Sequence, residues 1–333
     1  MFETRLFFCA KMNYNSTYQV NSMGKIYVIG GANVDIQGSS VQGIIPGDSN
    51  IGHISYSFGG VGRNIAENLA LLGTKPVFVS VFGNDSTGTD MYRYCEAVGM
   101  DLSYSVKTNH VSSTYLAVMD EKNDMVVAIN DMHILDLFTV ESVKPVMEKI
   151  GPEDYLVLDT NVSEEVLEYC TAHSKAPVAV DPISTVKAEK IAPYLSRVDL
   201  FKPNKLEAEH LSGISITDEK SAADAVQYFL DKGVKNIVIS LGRDGSAGGN
   251  AEGIFRLRHP FTAMKNATGA GDSFIAALVY ARWQGKNLEE AVKFACAAAS
   301  VTVESVFTVS ENMNYENVKS RMDSWKFEKE ILR

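Results

Sequence analysis

From Lys25 onward the chain falls into short apolar runs separated by longer segments of mixed polarity. "KIYVIGG" is an apolar run closed by glycine, and "DYLVLD", "PVAVD", "VDLFKPN", "NIVISLG" and "PVFVSVFG" repeat the form. Such runs, without alternation, belong to strands buried on both faces. Between them, "VGRNIAENLALLG", "TGTDMYRYCEAVG", "SEEVLEYCTAHS" and "KSAADAVQYFLDKG" carry apolar residues at helical spacing, several ending at a glycine. Strands alternating with helices predict an α/β fold with a mostly parallel central sheet and helices on both faces. "HISYSF" and "SSTYLAVMD" instead alternate apolar and polar residues, as half-exposed strands do. The segments near 34–58 and 104–130 are therefore placed in a small separate β-sheet, a lid. The pattern turns helical from about Ala270 to Ser305 and again near Tyr315 to Glu328. Residues 1–23 are polar and aperiodic and read as a flexible extension ahead of one domain over 24–333.

Composition narrows the function. Of 333 residues 45% are hydrophobic, enough for a large core, and the formal net charge is -10. Lys and Arg are scattered, so no nucleic-acid face is expected. An acidic protein that handles phosphate must offset its charge locally, with a metal ion or oriented backbone amides. Cys9, Cys95, Cys170 and Cys296 lie far apart with no CxxC spacing, and the six histidines are scattered. Free thiols in a reducing compartment and no zinc site are expected. No apolar run approaches the roughly 20 residues of a membrane span, which gives the expectation of a cytoplasmic protein.

Ligands of open α/β sheets bind beyond the carboxyl ends of the strands. Four glycine-rich loops follow strands there: "GGANVD" at Gly30, "GGVGRN" at Gly59, "SLGRDG" at Ser240 and "TGAGD" at Thr268. "GGVGRN" fails the dinucleotide fingerprint, because Ile65 stands where the third small residue belongs, and no GxxxxGK[ST] is present. In "TGAGD", the small residues Gly269, Ala270 and Gly271 let backbone amides approach an anion at a helix N-terminus, with Asp272 in the first turn. The same residues also fit an ordinary helix start. Asn204 and Glu207 in "KPNKLEAEHLSG" share a face on a first helical turn; their oxygens suit Mg²⁺, and they equally suit a helix cap. Asn33 and Asp35 follow the first strand, and a carboxylate there can accept hydrogen bonds from a pair of sugar hydroxyls, or belong to a polar turn.

Together these stretches resemble the ribokinase-like sugar and nucleoside kinases, the PfkB family, over about Lys25 to Ser305. "GAGDSF" at 269–274 resembles the C-terminal signature of the family, "GGVGRNIAENLALLG" at 59–73 its N-terminal signature, and "NKLE" at 204–207 its metal-associated Asn-x-x-Glu. "GGANVDIQGSS" and "DSNIGHISYSFGGVGRNIAENLALLG" resemble in particular the branch that phosphorylates pseudouridine. The resemblance implies a three-layer α/β domain with a small β lid. It implies ATP-dependent phosphorylation of a primary hydroxyl, here the ribose 5′-OH of pseudouridine. Asp272 is then the base, and Gly269, Ala270 and Gly271 form the anion hole. Asn33, Asp35, Gly59, Gly60 and Asn64 hold the ribose, and Asn161 lies near the phosphates. Ser240, Gly242 and Gly245 lie by the nucleotide with Asn204, and Asn204 and Glu207 position Mg²⁺ through water. Asn266-Ala267 stand where ribokinases have Asp-Thr beside an activating monovalent cation, so that cation is not carried over.

Two alternatives stay open from the residues: a kinase for another nucleoside or a free sugar such as ribose, and a ligand sensor that kept the fold without turnover. Ser39, Ser40, Ser113 and Tyr115 on the lid could read a uracil edge or cover a sugar. Expected partners are ATP and a small nucleoside or sugar, with no nucleic acid, no membrane, and a homodimer formed through lid strands.

Overall fold

A computed structural model describes residues 24–260 and 263–333. The extension expected over residues 1–23, Cys9 included, lies outside the described residues. The strands, in chain order, are β1 (Ile26–Ile29), β2 (Asn33–Ser40), β3 (Gly52–Gly59), β4 (Val77–Val79), β5 (Val81–Gly83), β6 (Val106–Thr108), β7 (Thr114–Met119), β8 (Met125–Asp131), β9 (Tyr155–Asp159), β10 (Val178–Asp181), β11 (Leu200–Phe201), β12 (Asn236–Ser240), β13 (Ser246–Asn250), β14 (Gly253–Arg258) and β15 (Glu328–Ile331).

The large sheet has the order β15-β14-β13-β12-β11-β10-β9-β1-β4. From β4 to β12 every pairing is parallel; β12 to β15 pair antiparallel and close one edge. The apolar runs form the parallel part because both of their faces are covered. In β1, Ile26 and Val28 pack into one core layer while Tyr27 and Ile29 pack into the other. The first layer holds the helices Val61–Leu71, Ser86–Ala97, Ala270–Trp283 and Leu288–Val303; the second holds Val140–Met147, Glu164–His173 and Glu219–Asp231. This is the expected three-layer α/β arrangement.

A smaller sheet stands apart in the order β3-β2-β7-β8. The expected lid is narrower than 34–58 and 104–130, because Val106–Thr108 pairs in parallel with β5 in a two-stranded sheet of its own. "PVFVSVFG" is correspondingly two strands, with Ser80 leaving β4 in the large sheet and β5 with β6. Cross-strand register gives the small sheet two unlike faces. One row runs Ser57, Asp35, Tyr115, Asn130; the neighbouring row on the other face runs Tyr56, Ile36, Leu116, Ile129. On that second face Ile54, Tyr56, Val127 and Ile129 are all more than half exposed. The three cysteines among the described residues, Cys95, Cys170 and Cys296, are free and buried.

Candidate active site

The residues that end the parallel strands lie together at the carboxyl ends of the central strands of the large sheet. β9 ends in Asp159, β10 in Asp181, and β11 leads into Lys202. All three are buried. Asp159 works as a clasp. Its Oδ2 accepts from Gly31 N at 2.9 Å and Gly62 N at 2.6 Å, and its Oδ1 accepts from Asn161 N at 2.9 Å. The helix Val61–Leu71 has no side-chain cap of its own, so the carboxylate from β9 takes one of its orphan first-turn donors. The approach requires glycine: a Cβ on Gly62 would lie 2.8 Å from Gly30 Cα, and one on Gly30 would lie 2.5 Å from Asp159 Oδ2. Burial raises the Asp159 carboxyl above the usual range against these hydrogen bonds. Asn161 sits beside it and accepts from Lys187 Nζ at 2.5 Å.

Against these strand ends lies the N-terminus of the helix Ala270–Trp283. Gly269 precedes it at φ 82, and a Cβ there would fall 1.9 Å from the Thr308 carbonyl oxygen. Only glycine suits a position both left-handed and that close to backbone. Gly271 is exposed, whereas the Ala270 amide is 3.3 Å from the Ala267 carbonyl oxygen and so not wholly free for an anion. Asn266 ties down the preceding loop, accepting from Thr268 N at 2.9 Å and donating to the Val306 carbonyl at 3.3 Å.

Asp272 Oδ2 accepts from Asn64 Nδ2 at 2.6 Å. The residue is only partly exposed. Burial, followed by the nearby Asp181 carboxylate, pushes its carboxyl from 3.8 up to about 7, against the Asn64 hydrogen bond and the Lys202 charge. Lys202 Nζ lies 3.0 Å from Asp181 Oδ2 and 3.4 Å from the Gly271 carbonyl oxygen. Burial opposes its charge, but Asp181, Glu207 and Asp272 outweigh that and hold it above the ordinary lysine value. One ammonium therefore serves three carboxylates, leaving a negative surplus at the strand ends.

On the small-sheet side, Asn33 Nδ2 donates to Asp35 Oδ1 at 2.7 Å. Burial raises the Asp35 carboxyl, opposed by that hydrogen bond and by the Arg63 charge. Gly59 ends β3 and Gly60 leads into the helix that carries Asn64, so the residues that the sequence reading assigned to a ribose lie close together in the chain here. Tyr115 lies in the Asp35 row, its hydroxyl 3.8 Å from Met125 Sδ. Ser39 falls further along the same face, by strand alternation. Ser40 is committed to its own turn, donating to the Gln42 carbonyl at 2.5 Å, and Ser113 is buried at the base of the sheet.

Asn204 and Glu207 form the helix cap that the sequence also allowed. Asn204 Oδ1 accepts from Glu207 N at 3.0 Å, and Glu207 Oε2 accepts from Asn204 N at 2.7 Å. Burial raises the Glu207 carboxyl. Ser240 bridges to Asn204, and the turn Gly242–Asp244 with Gly245 follows it, so these four lie together at the end of β12. Among the described residues no three His, Cys, Asp or Glu side chains are grouped to hold a metal ion. Nor is any described helix long and apolar enough to cross a membrane.

Reading the sequence did not single out Asp159, Asp181, Lys187, Lys202 or Arg63. The first two carried a signal, an acidic residue closing an apolar run in "LVLD" and "VAVD".

Comparison with known proteins places this geometry. Residues 23–313 match the pfkB family carbohydrate kinase description. The chain is 34% identical over 302 residues to the pseudouridine kinase of Escherichia coli, covering 90% of this chain and 96% of that one. A carbohydrate kinase from Agrobacterium tumefaciens superimposes with TM-score 0.81 at 28% identity, over 92% of this chain and 100% of that one. The ribokinase of Thermotoga maritima shares the fold, with TM-score 0.78 at 24% identity over 90% of this chain and 99% of that one. The chain belongs to the pfkB family of carbohydrate kinases, and is a sugar or nucleoside kinase that transfers phosphate to a hydroxyl group.

Proposed function

We propose that this enzyme transfers the γ-phosphoryl group of ATP to the ribose 5′-hydroxyl of pseudouridine, giving pseudouridine 5′-phosphate. The observation that carries the kinase chemistry is Asp272: one oxygen is held by Asn64, the carboxyl lies in the first turn of a helix, and its affinity for protons sits near neutrality. The likeness to the pseudouridine kinase of Escherichia coli supports the substrate.

Phosphoryl transfer depends on positioning and charge neutralisation more than on covalent help. Asp272 takes the hydroxyl proton on its unheld oxygen as the new bond forms, and a base that titrates near the working pH serves best. Gly269, Ala270 and Gly271 bring the helix N-terminus against the moving phosphoryl group. Asp35 accepts from the ribose hydroxyls, with Asn33, Gly59, Gly60 and Asn64 around it. Asn161, just after β9, and Lys187, from the short helix Thr185–Ala188 after β10, face the phosphates together. Ser240, Gly242, Gly245 and Asn204 hold the nucleotide.

Mg²⁺ fits this donor set through water rather than in a cage of side chains. Asn204 and Glu207 are the residues that would orient its waters, and the surplus negative charge around Lys202 favours a cation there. Such an ion would supply charge neutralisation for the phosphates. The apolar outer face of the small sheet supports a homodimer through that sheet.

The test is ATP consumption with a nucleoside and sugar panel. Pseudouridine should show a much higher kcat/KM than uridine, adenosine or ribose. A preference for free ribose would end the pseudouridine assignment and leave the kinase; no turnover with any acceptor would favour a ligand sensor.

A further inference from the structure

The helix Val61–Leu71 has no solvent-facing side from Gly62 to Ala70, so its polar residues must find partners inside the protein. Arg63 is 2% exposed and Glu67 3%. The guanidinium divides its donors three ways. Nε donates to the Gly59 carbonyl at 3.0 Å, one terminal nitrogen pairs with Glu67 Oε2, and the other donates to Asn64 Oδ1. Tyr94 Oη donates to the second oxygen of Glu67 at 2.5 Å and holds that carboxylate from the neighbouring helix.

Asn64 is the link to the reacting groups. A guanidinium can only donate, so the Asn64 oxygen must turn to Arg63, and its amide nitrogen is thereby aimed at Asp272. We propose that Arg63, anchored by Glu67 and Tyr94, is a positioning residue for phosphoryl transfer: it fixes the Asn64 amide so that Asn64 Nδ2 holds Oδ2 of Asp272 and leaves Oδ1 toward the acceptor hydroxyl. The same guanidinium grips the Gly59 carbonyl, so it ties the ribose loop to the base. This inference rests on the reading of Asp272 as the base.

The groups facing Asp272 are Asn64 from the helix Val61–Leu71, Asp181 at the end of β10, Lys202 after β11 and Asp159 at the end of β9. Only the first is under Arg63's control. Without Arg63 the Asn64 amide can rotate and present its oxygen to the carboxylate, which removes a donor to the charged form.

The test compares Arg63→Lys, which keeps a charge for Glu67 but has a single nitrogen in place of the three that reach Gly59, Glu67 and Asn64, with Asn64→Ala. A second background, Arg63→Met with Glu67→Gln, removes the buried charges together, so that loss of folding does not decide the result. Each variant is checked for folding by circular dichroism and thermal melting. Folded Arg63 variants should lose on the order of tenfold in kcat at neutral pH with KM for ATP unchanged. The acid limb of their kcat profile should move up by about one pH unit, the equivalent of one hydrogen bond to a charge. Asn64→Ala should move the same limb, and Arg63→Lys combined with Asn64→Ala should go no further than Asn64→Ala alone. Folded Arg63 variants with wild-type kcat and an unmoved acid limb would overturn the proposal, as would additive effects in the pair. Failure of the underlying reading is separable, because Asp272→Asn would then retain its single-turnover rate.

Discussion

Asp272→Asn separates catalysis from stability in opposite directions. The amide is nearly isosteric, and its oxygen can keep the hydrogen bond from Asn64 Nδ2. What is lost is the acceptor for the substrate proton, and general-base catalysis contributes about 10²–10⁴-fold. The stability change follows from the raised carboxyl, about 7 in the folded chain against 3.8 ordinarily, the result of burial and the Asp181 carboxylate. Between those values the folded state keeps a proton that the unfolded chain has released. Stability therefore falls as pH rises through that window, and the whole cost is present above about pH 7. The gap amounts to on the order of 4 kcal/mol. An asparagine does not titrate, so the variant should melt higher than the native protein at pH 8, and the difference should close as pH falls toward 4. Thermal melts across pH and single-turnover phosphoryl transfer on the same preparation read both effects. A near-normal single-turnover rate would make Asp272 only a helix-start residue. A melting difference that does not change with pH would refute the charge argument.

Three further outcomes are expected. Asp35→Ala should lower kcat/KM for the nucleoside by about ten- to a hundredfold, since charge-assisted hydrogen bonds are lost; unchanged nucleoside kinetics in a folded variant would make Asp35 a turn residue. Gly269→Ala should cost at least about 2 kcal/mol of stability and most of the activity, from a left-handed backbone and a Cβ 1.9 Å from the Thr308 oxygen, whereas Gly271→Ala, whose Cβ meets only Lys202 Nζ at 3.3 Å, should fold normally. Replacing potassium with tetramethylammonium should leave kcat unchanged, because the Asn266 side chain itself satisfies the Val306 carbonyl and the Thr268 amide; strong potassium activation would contradict that.

The parallel half of the fold was legible because strands covered on both faces must be apolar throughout, as in "KIYVIG" and "YLVLD". The antiparallel edge was not. β13 is "SAGGN", a poor strand by propensity, yet it lies where Gly248 and Gly249 let Phe255 and Val226 pack directly on the backbone. Nor could local pattern tell that Ser80 divides one apolar run between two sheets, since that depends on where β6 returns. In the site, the glycine loops were readable because close backbone approach excludes other residues. Arg63 and Glu67 were not, because an Arg and a Glu four apart look like an exposed helical pair. Their burial is set by the helix Ala270–Trp283 and its neighbours, which lie far away in sequence.

The small sheet is continuous with the cleft. β2 starts at Asn33 and carries Asp35; β3 ends at Gly59, with only Gly60 between it and the helix that bears Arg63 and Asn64. Whatever biases the position of that sheet therefore biases the proposed acceptor site, and the coupling must be reciprocal. If a second subunit covers the exposed apolar face, bound nucleoside should tighten or loosen the subunit contact by the same factor by which the contact changes nucleoside affinity. A subunit dissociation constant that saturating nucleoside leaves unmoved would show the two to be independent, and would confine that face to assembly alone.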